Sequence, residues 1–173
     1  MVKPVDLALT RRLGFAVALL VFALDQFIKA LIVHAVNLPI RTVVEILPIF
    51  RFYWVENHGI SMGFLTANST AERWLLVVLT AAIAVAVVFW LWRERNRLDA
   101  TALGLVLGGA LGNITDRVRL GYVADFLDLH FGDMHPFLVF NVADAAITIG
   151  VLLLVLRALF VRPVPAASED SHA

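Results

Sequence analysis

Four stretches of this chain are long and apolar enough to cross a lipid bilayer, and no other feature of the sequence narrows its fold so far. A helical span needs about 20 mostly apolar residues. Inside hydrocarbon every backbone N–H and C=O must also find a partner within the protein, which favours helices over irregular chain. The stretches run from about Leu13 to Val33, Trp74 to Trp92, Ala100 to Thr115 and Phe137 to Val161. The second is uncharged and carries Trp74, Trp90 and Trp92 near its ends, where interfacial aromatics belong. Apolar residues make up 61% of the 173, beyond the roughly 45–50% of a soluble domain. The class is an integral membrane protein.

A cleavable signal peptide is the rival reading of the first stretch. Its uninterrupted apolar run, Leu13 to Leu24, has a suitable length, but Asp25, Gln26 and Lys29 follow where a small-residue cleavage site belongs. It reads as a retained helix. Four spans put both termini on one side. That side holds Lys3, Arg11 and Arg12, the short loop "RERNR" (93–97), and Arg157 and Arg162; the other holds Arg41, Arg51, Arg73, Arg117 and Arg119. Basic residues concentrated in a short loop mark the cytoplasmic side, so both termini are expected there. With 14 basic and 14 acidic residues the chain has no charge excess to attract nucleic acid. It has no Cys, hence no disulfide, thiol nucleophile or thiolate metal site. The tail "PVPAASEDSHA" (163–173) is polar, bears prolines and is expected to be disordered.

The polar residues of the spans converge. At 1.5 Å per residue, Asp25 lies about 18 Å along the first span, in its outer half. Lys29 is one turn further on the same face. Asn113 and Asp116 fall at the outer end of the third span, with Asp125 just beyond, and Asn141 and Asp144 fall in the first turns of the fourth. Gly104, Gly108 and Gly112, with Gly109 beside them, form a small-residue stripe on which another helix can pack closely. The loop "RTVVEILPIFRFYWVENHGISMGF" (41–64) is rich in β-branched and aromatic residues and is interrupted by Pro48. It reads as a small β-rich element on the outer surface, with "NHG" turning the chain back towards the bilayer.

Intramembrane ionisable residues are functional candidates. Asp25 and Lys29 read as an ion pair, and Asp116 as the structural partner of Arg117. Asp125 and Asp144 differ, for each sits in apolar surroundings with no basic neighbour at helical spacing. Two carboxyl groups sharing a low-dielectric site keep one proton between them. The ionised member takes a proton from water while the other hydrogen-bonds the carbonyl under attack, which hydrolyses an amide without a cofactor. A serine–lysine dyad of Ser61 and Lys29 fits less well, because nothing marks Ser61 as a nucleophile. His130 and His135, with Asp128 and Asp133, lack metal-site spacing and read as surface-loop residues, and His34 and His58 are isolated.

Taken in order, "DQFIK" (25–29), "NHGISMGF" (57–64), "GGALGNITDR" (108–117), "VADF" (123–126) and "FNVAD" (140–144) resemble the lipoprotein signal peptidases, the type II bacterial signal peptidases. The resemblance spans all four stretches and the long loop. It implies a four-helix inner-membrane aspartyl endopeptidase with a periplasmic β-cradle. Such an enzyme removes the signal peptide from diacylglyceryl-modified prolipoproteins, cutting before the lipidated Cys. It further implies that Asp125 and Asp144 are the catalytic dyad, with Asp25, Lys29, Asn57, Gly59, Gly109, Asn113, Asp116, Arg117, Asn141 and Ala143 as substrate-binding or supporting residues. The chain departs from the family at Met62, usually Phe, and at His58, where a smaller polar residue is common.

The expectation is therefore an all-α membrane protein of four transmembrane helices, with a small extracytoplasmic β-rich cradle between the first and second (about 40–64). Residues 1–162 form one membrane-embedded peptidase domain. Its partners are lipidated prolipoproteins and membrane lipid, as a monomer, with no metal and no cofactor. Two other readings stay open: a small proton-coupled transporter or channel subunit relaying protons through Asp25, Asp116, Asp125 and Asp144, and a purely structural membrane subunit.

Overall fold

A computed structural model describes residues 6–60, 65–66, 70–132 and 134–160. Ser61, Met62, Asp133 and the tail from 163 onward, all singled out above, lie outside the described residues, as do Lys3 and Arg162. Among the described residues, four helices are long and apolar enough to cross a membrane. The first, α1 (Leu7–Ala30), runs into a π-helical turn (Leu31–Ala35) and a short helix, α2 (Leu38–Arg41). Then come β1 (Val43–Leu47), β2 (Phe50–Asn57), β3 (Gly59–Ile60) and β4 (Leu65–Thr66). The remainder is α3 (Thr70–Arg93), α4 (Arg97–Arg119), β5 (Val123–Leu129) and α5 (Val142–Phe160).

Capping explains where the helices begin. Asp6 accepts hydrogen bonds from the Ala8 and Leu9 N–H groups at 3.0 and 3.1 Å, so α1 starts six residues before the apolar run does. Asn96 caps α4 through the N–H groups of Leu98 and Asp99, after a tight turn in which Glu94 binds the N–H groups of Arg95 and Asn96. The fourth helix starts at Val142, not near Phe137 as its hydropathy suggests. Asn141 accepts the Asp144 N–H at 2.9 Å, and the Asp144 carboxyl accepts the Asn141 N–H at 3.3 Å. That reciprocal box sets the boundary. Asn141 is thus the residue before the helix and not part of its first turn.

The glycine stripe makes α4 the central helix. A side chain at Gly108 would place its Cβ 2.5 Å from the Ala18 carbonyl oxygen of α1, and one at Gly109 would collide with the Ala143 carbonyl of α5. Over its membrane-length window α4 is 56% buried, against 17–28% for the other three helices. The lipid-facing sides of those three are correspondingly apolar, with Leu19, Leu20, Val78 and Phe89 all exposed.

The sheet differs from expectation in one respect. The β-rich element is not confined to the loop between the first two spans: the larger sheet has the order β1-β2-β5, antiparallel throughout, and its third strand comes from the segment after α4. The described residues are mostly helical, with this three-stranded sheet and a two-stranded one, β3-β4. β5 carries apolar and acidic residues on both faces, so no one-sided alternation announces it. Among the described residues, the five strands lie in the connections α1–α3 and α4–α5, hence at one end of the bundle. Phe126 of β5 seats the sheet there, packing against Ile32 of the π-helical turn and Leu38 of α2.

Candidate active site

Asp125 and Asp144 arrive from different elements, the second residue-pair of β5 and the first turn of α5, and line one cavity of about 320 Å³ with Asn57, Gly59 and Arg117. Asn141 joins them. Its side-chain N–H donates to Asp125 Oδ1 at 2.7 Å, while its backbone N–H serves Asp144 Oδ2. Each remaining carboxylate oxygen has its own amide: Asn57 donates to Asp125 Oδ2 at 2.9 Å, and Asn113 to Asp144 Oδ1 at 2.7 Å. The Asn141 amide also donates to Asn113 Oδ1 at 3.2 Å, closing a ring of amides around the pair. Burial, then the nearby Asp144 charge, push the Asp125 carboxyl up from 3.8 to about 7, against the hydrogen bonds from Asn57 and Asn141.

Beneath this ring lies a buried charge cluster. Lys29 Nζ is 2.9 Å from Asp25 and 2.7 Å from Asp116, and donates to Asn113 Oδ1 at 3.4 Å. Asp25 reaches across to accept the Ala143 N–H at 3.0 Å, at the head of α5. Asp116 accepts the Ala124 N–H at 3.2 Å, next to Asp125. The cluster therefore touches the backbone immediately before each proposed catalytic residue. Gly112 leaves room for Asp25, whose Oδ2 would lie 2.5 Å from a Cβ at that position.

The Asp25–Lys29 pair stands as expected, but Asp116 pairs with Lys29 and not with Arg117. Consecutive helical residues point about 100° apart, and the Arg117 guanidinium turns instead to the Gly59 carbonyl at 3.2 Å. That contact and the Asn57–Gly59 hydrogen bond at 3.1 Å hold β3 over the cavity. All twelve candidate residues thus belong to one connected site. Gln26 was missed: its amide donates to Asp25 at 3.2 Å and to Asp116 at 3.1 Å. The available signal was a polar residue beside Asp25 within an otherwise apolar span. His130 is not a surface residue as expected; it is buried and stacked on the exposed His135. His58 is not isolated either, lying edge-on to Tyr122. A larger cavity of about 460 Å³ between α1, α3 and α4 is lined only by apolar residues and offers no chemistry.

Four membrane-length helices that gather a pair of carboxyl groups in a cavity at one end have the outline of a membrane enzyme working by acid–base hydrolysis. Two solved structures share the fold. A bacterial membrane enzyme determined by the in meso method at 2.3 Å resolution superposes with a TM-score of 0.73 at 30% identity, over 84% of this chain and 87% of its own. A second, at 1.9 Å, gives 0.73 at 28% identity over 86% and 94%. Residues 17–160 match the model of the signal peptidase (SPase) II family. The lipoprotein signal peptidase of Rhizorhabdus wittichii is 63% identical over 166 residues, covering 95% of this chain and 96% of that protein. That of Sphingopyxis alaskensis is 51% identical over 148 residues, 86% of each chain. The chain belongs to the signal peptidase II family, and is an aspartic endopeptidase of the membrane. Nothing in these relationships favours the transporter reading.

Proposed function

We propose that this protein removes the signal peptide from diacylglyceryl-modified prolipoproteins in the bacterial inner membrane, cutting before the lipidated Cys, with Asp125 and Asp144 as its catalytic dyad. The observation that carries the assignment is the convergence of those two carboxyl groups, from β5 and α5, on a single cavity, each flanked by amide donors. The pair holds one proton. We assign it to Asp125, whose carboxyl burial and the neighbouring Asp144 charge push up to about 7; Asp125 then donates a hydrogen bond to the scissile carbonyl while Asp144 removes a proton from water. Hydroxide adds to the carbonyl carbon as Asp125 protonates its oxygen. Asp144 then passes its proton to the amide nitrogen of the Cys. The C–N bond breaks, and the second diol proton returns to Asp125.

The remaining candidates keep this pair in place: Asn57, Asn113 and Asn141 by direct hydrogen bonds, and Asp25, Lys29 and Asp116 through the backbone at Ala143 and Ala124. Gly59 and Arg117 hold the cavity's β-edge, and Gly109 lets α4 meet α5 at Ala143. Residues 1–162 are one membrane-embedded domain, acting as a monomer. Both termini and the "RERNR" turn are cytoplasmic, which puts the β1-β2-β5 sheet and the dyad at the periplasmic face. The test is cleavage of a lipidated precursor in reconstituted membranes. Asp125→Asn and Asp144→Asn keep side-chain volume and are expected to insert normally and lose cleavage by at least about 10³-fold. Wild-type-like turnover by either variant removes the dyad.

A further inference from the structure

Asp128 is a buried carboxylate that this chemistry leaves unused. It lies three residues past Asp125 on β5, so the alternation of the strand turns it to the other face. Its Oδ2 accepts from Arg51 Nε at 2.7 Å, and Arg51 is its cross-strand neighbour on β2. Its Oδ1 is 3.2 Å from His135 Nδ1. Burial alone would raise the Asp128 carboxyl, but the hydrogen bonds from Arg51 and His135 outweigh it and hold it below the usual range. As a carboxylate it can only accept, so the Nδ1 of His135 carries the hydrogen.

His135 belongs to the connection between β5 and α5. The backbone pins that connection at its ends, where the His130 N–H meets the Ile49 carbonyl at 3.0 Å and Phe140 pairs with Leu127. Between those points Phe131 and Met134 bond to each other. Among the described residues, the side-chain tie from the middle of this connection to the sheet is His135–Asp128. Beyond Pro136 come Phe137 and Leu138, 60% and 63% exposed and thus not held by core packing. They nevertheless form the wall, with Leu129, Phe140, Ala145 and Ile149, of an apolar cavity of about 360 Å³ that the Asp144 carboxyl borders.

We propose that Asp128 and His135 are positioning residues that latch the Phe137–Leu138 wall, so that this cavity is shaped to receive an apolar part of the substrate beside Asp144. The proposal rests on the reading of the dyad given above. The latch is tested at its exposed end, where truncation removes little buried contact. With full-length protein in lipid and a lipidated precursor peptide, His135→Ala is expected to raise KM about fivefold with kcat within about twofold, because the wall binds and does no chemistry. His135→Asn, whose amide N–H sits where Nδ1 was, should recover KM to within about twofold. A nitroxide on Met134→Cys, a unique label since the chain has no native Cys, should gain mobility in His135→Ala and lose that gain in His135→Asn. Unchanged KM, unchanged mobility, or no rescue by Asn overturns the latch while wild type still cleaves. A wild type that leaves the lipidated precursor intact overturns the underlying function instead.

Discussion

The Asp125 carboxyl is raised to about 7 because burial and Asp144 oppose its charge more strongly than two amides favour it. Its folded value lies above the 3.8 of the free side chain. The stability it contributes is therefore fully present below that value and is lost as pH rises through about 7. On the proposed mechanism cleavage needs the same proton, so single-turnover rates are expected to fall on the alkaline side of neutrality. Asn57→Ala removes a donor to the ionised form and should move that limb upward; a limb that stays put, or moves down, contradicts the assignment of the proton to Asp125. Lys29 is the sole cation within 4 Å of both Asp25 and Asp116 among the described residues. Stranding two buried carboxylates by Lys29→Ala should cost about 3–5 kcal/mol, read as a lower melting point in detergent together with lost activity. An inactive variant of wild-type stability would assign Lys29 to the substrate instead. At this scale the sequence made individual residues legible through their motifs, but not their partners. Which of Lys29 or Arg117 meets Asp116 depends on the rotation of α1 against α4, and no local pattern encodes that rotation.

Element boundaries were legible where hydropathy decides them and obscure where capping does. The start of α5 is set by the Asn141–Asp144 box and not by the apolar residues Phe137 to Phe140 before it. β5 escaped notice because a strand buried on both faces, with acids among its apolar residues, has no amphipathic signature. Helix packing was the most readable feature, since glycines at spacing four announce a close neighbour. Gly108 tests this, because the atom a side chain would meet is a backbone oxygen of α1, which cannot rotate aside. Gly108→Leu should overpack the α1–α4 contact at a cost of about 1–3 kcal/mol or more. It should also draw Asp25 and Lys29 away from Asn113 and Ala143, lowering the melting point and activity together. Leu20→Ala, on the lipid-facing side of α1, is the control expected to change neither. Equal behaviour of the two variants would deny the glycine its packing role.

Taken as a whole, the molecule gathers the proposed dyad at one end of the helical bundle; on the reading proposed above that end is the edge of the bilayer, so a peptide bond reaches it only if anchored at that depth. The helix of a signal peptide is one anchor and a diacylglyceryl group on the Cys is another, each buried CH₂ contributing about 0.8 kcal/mol. Cleavage of the lipidated precursor is expected, with negligible cleavage of the same precursor carrying an unmodified Cys at equal concentration, followed by mobility shift. Comparable rates would make lipid irrelevant to recognition. The hydrogen bond from the Ala143 N–H to Asp25 has a further consequence. It clamps the head of α5, one residue before Asp144, to a fixed height on α1. On the proposed mechanism the plane of the cut is gauged from one helix, like a calliper with a single fixed jaw. Bilayers differ in thickness by a few ångströms, and spanning helices adjust by tilting. Asp144 keeps its height relative to α1 however the bundle tilts, so on the proposed mechanism the cut travels with that helix.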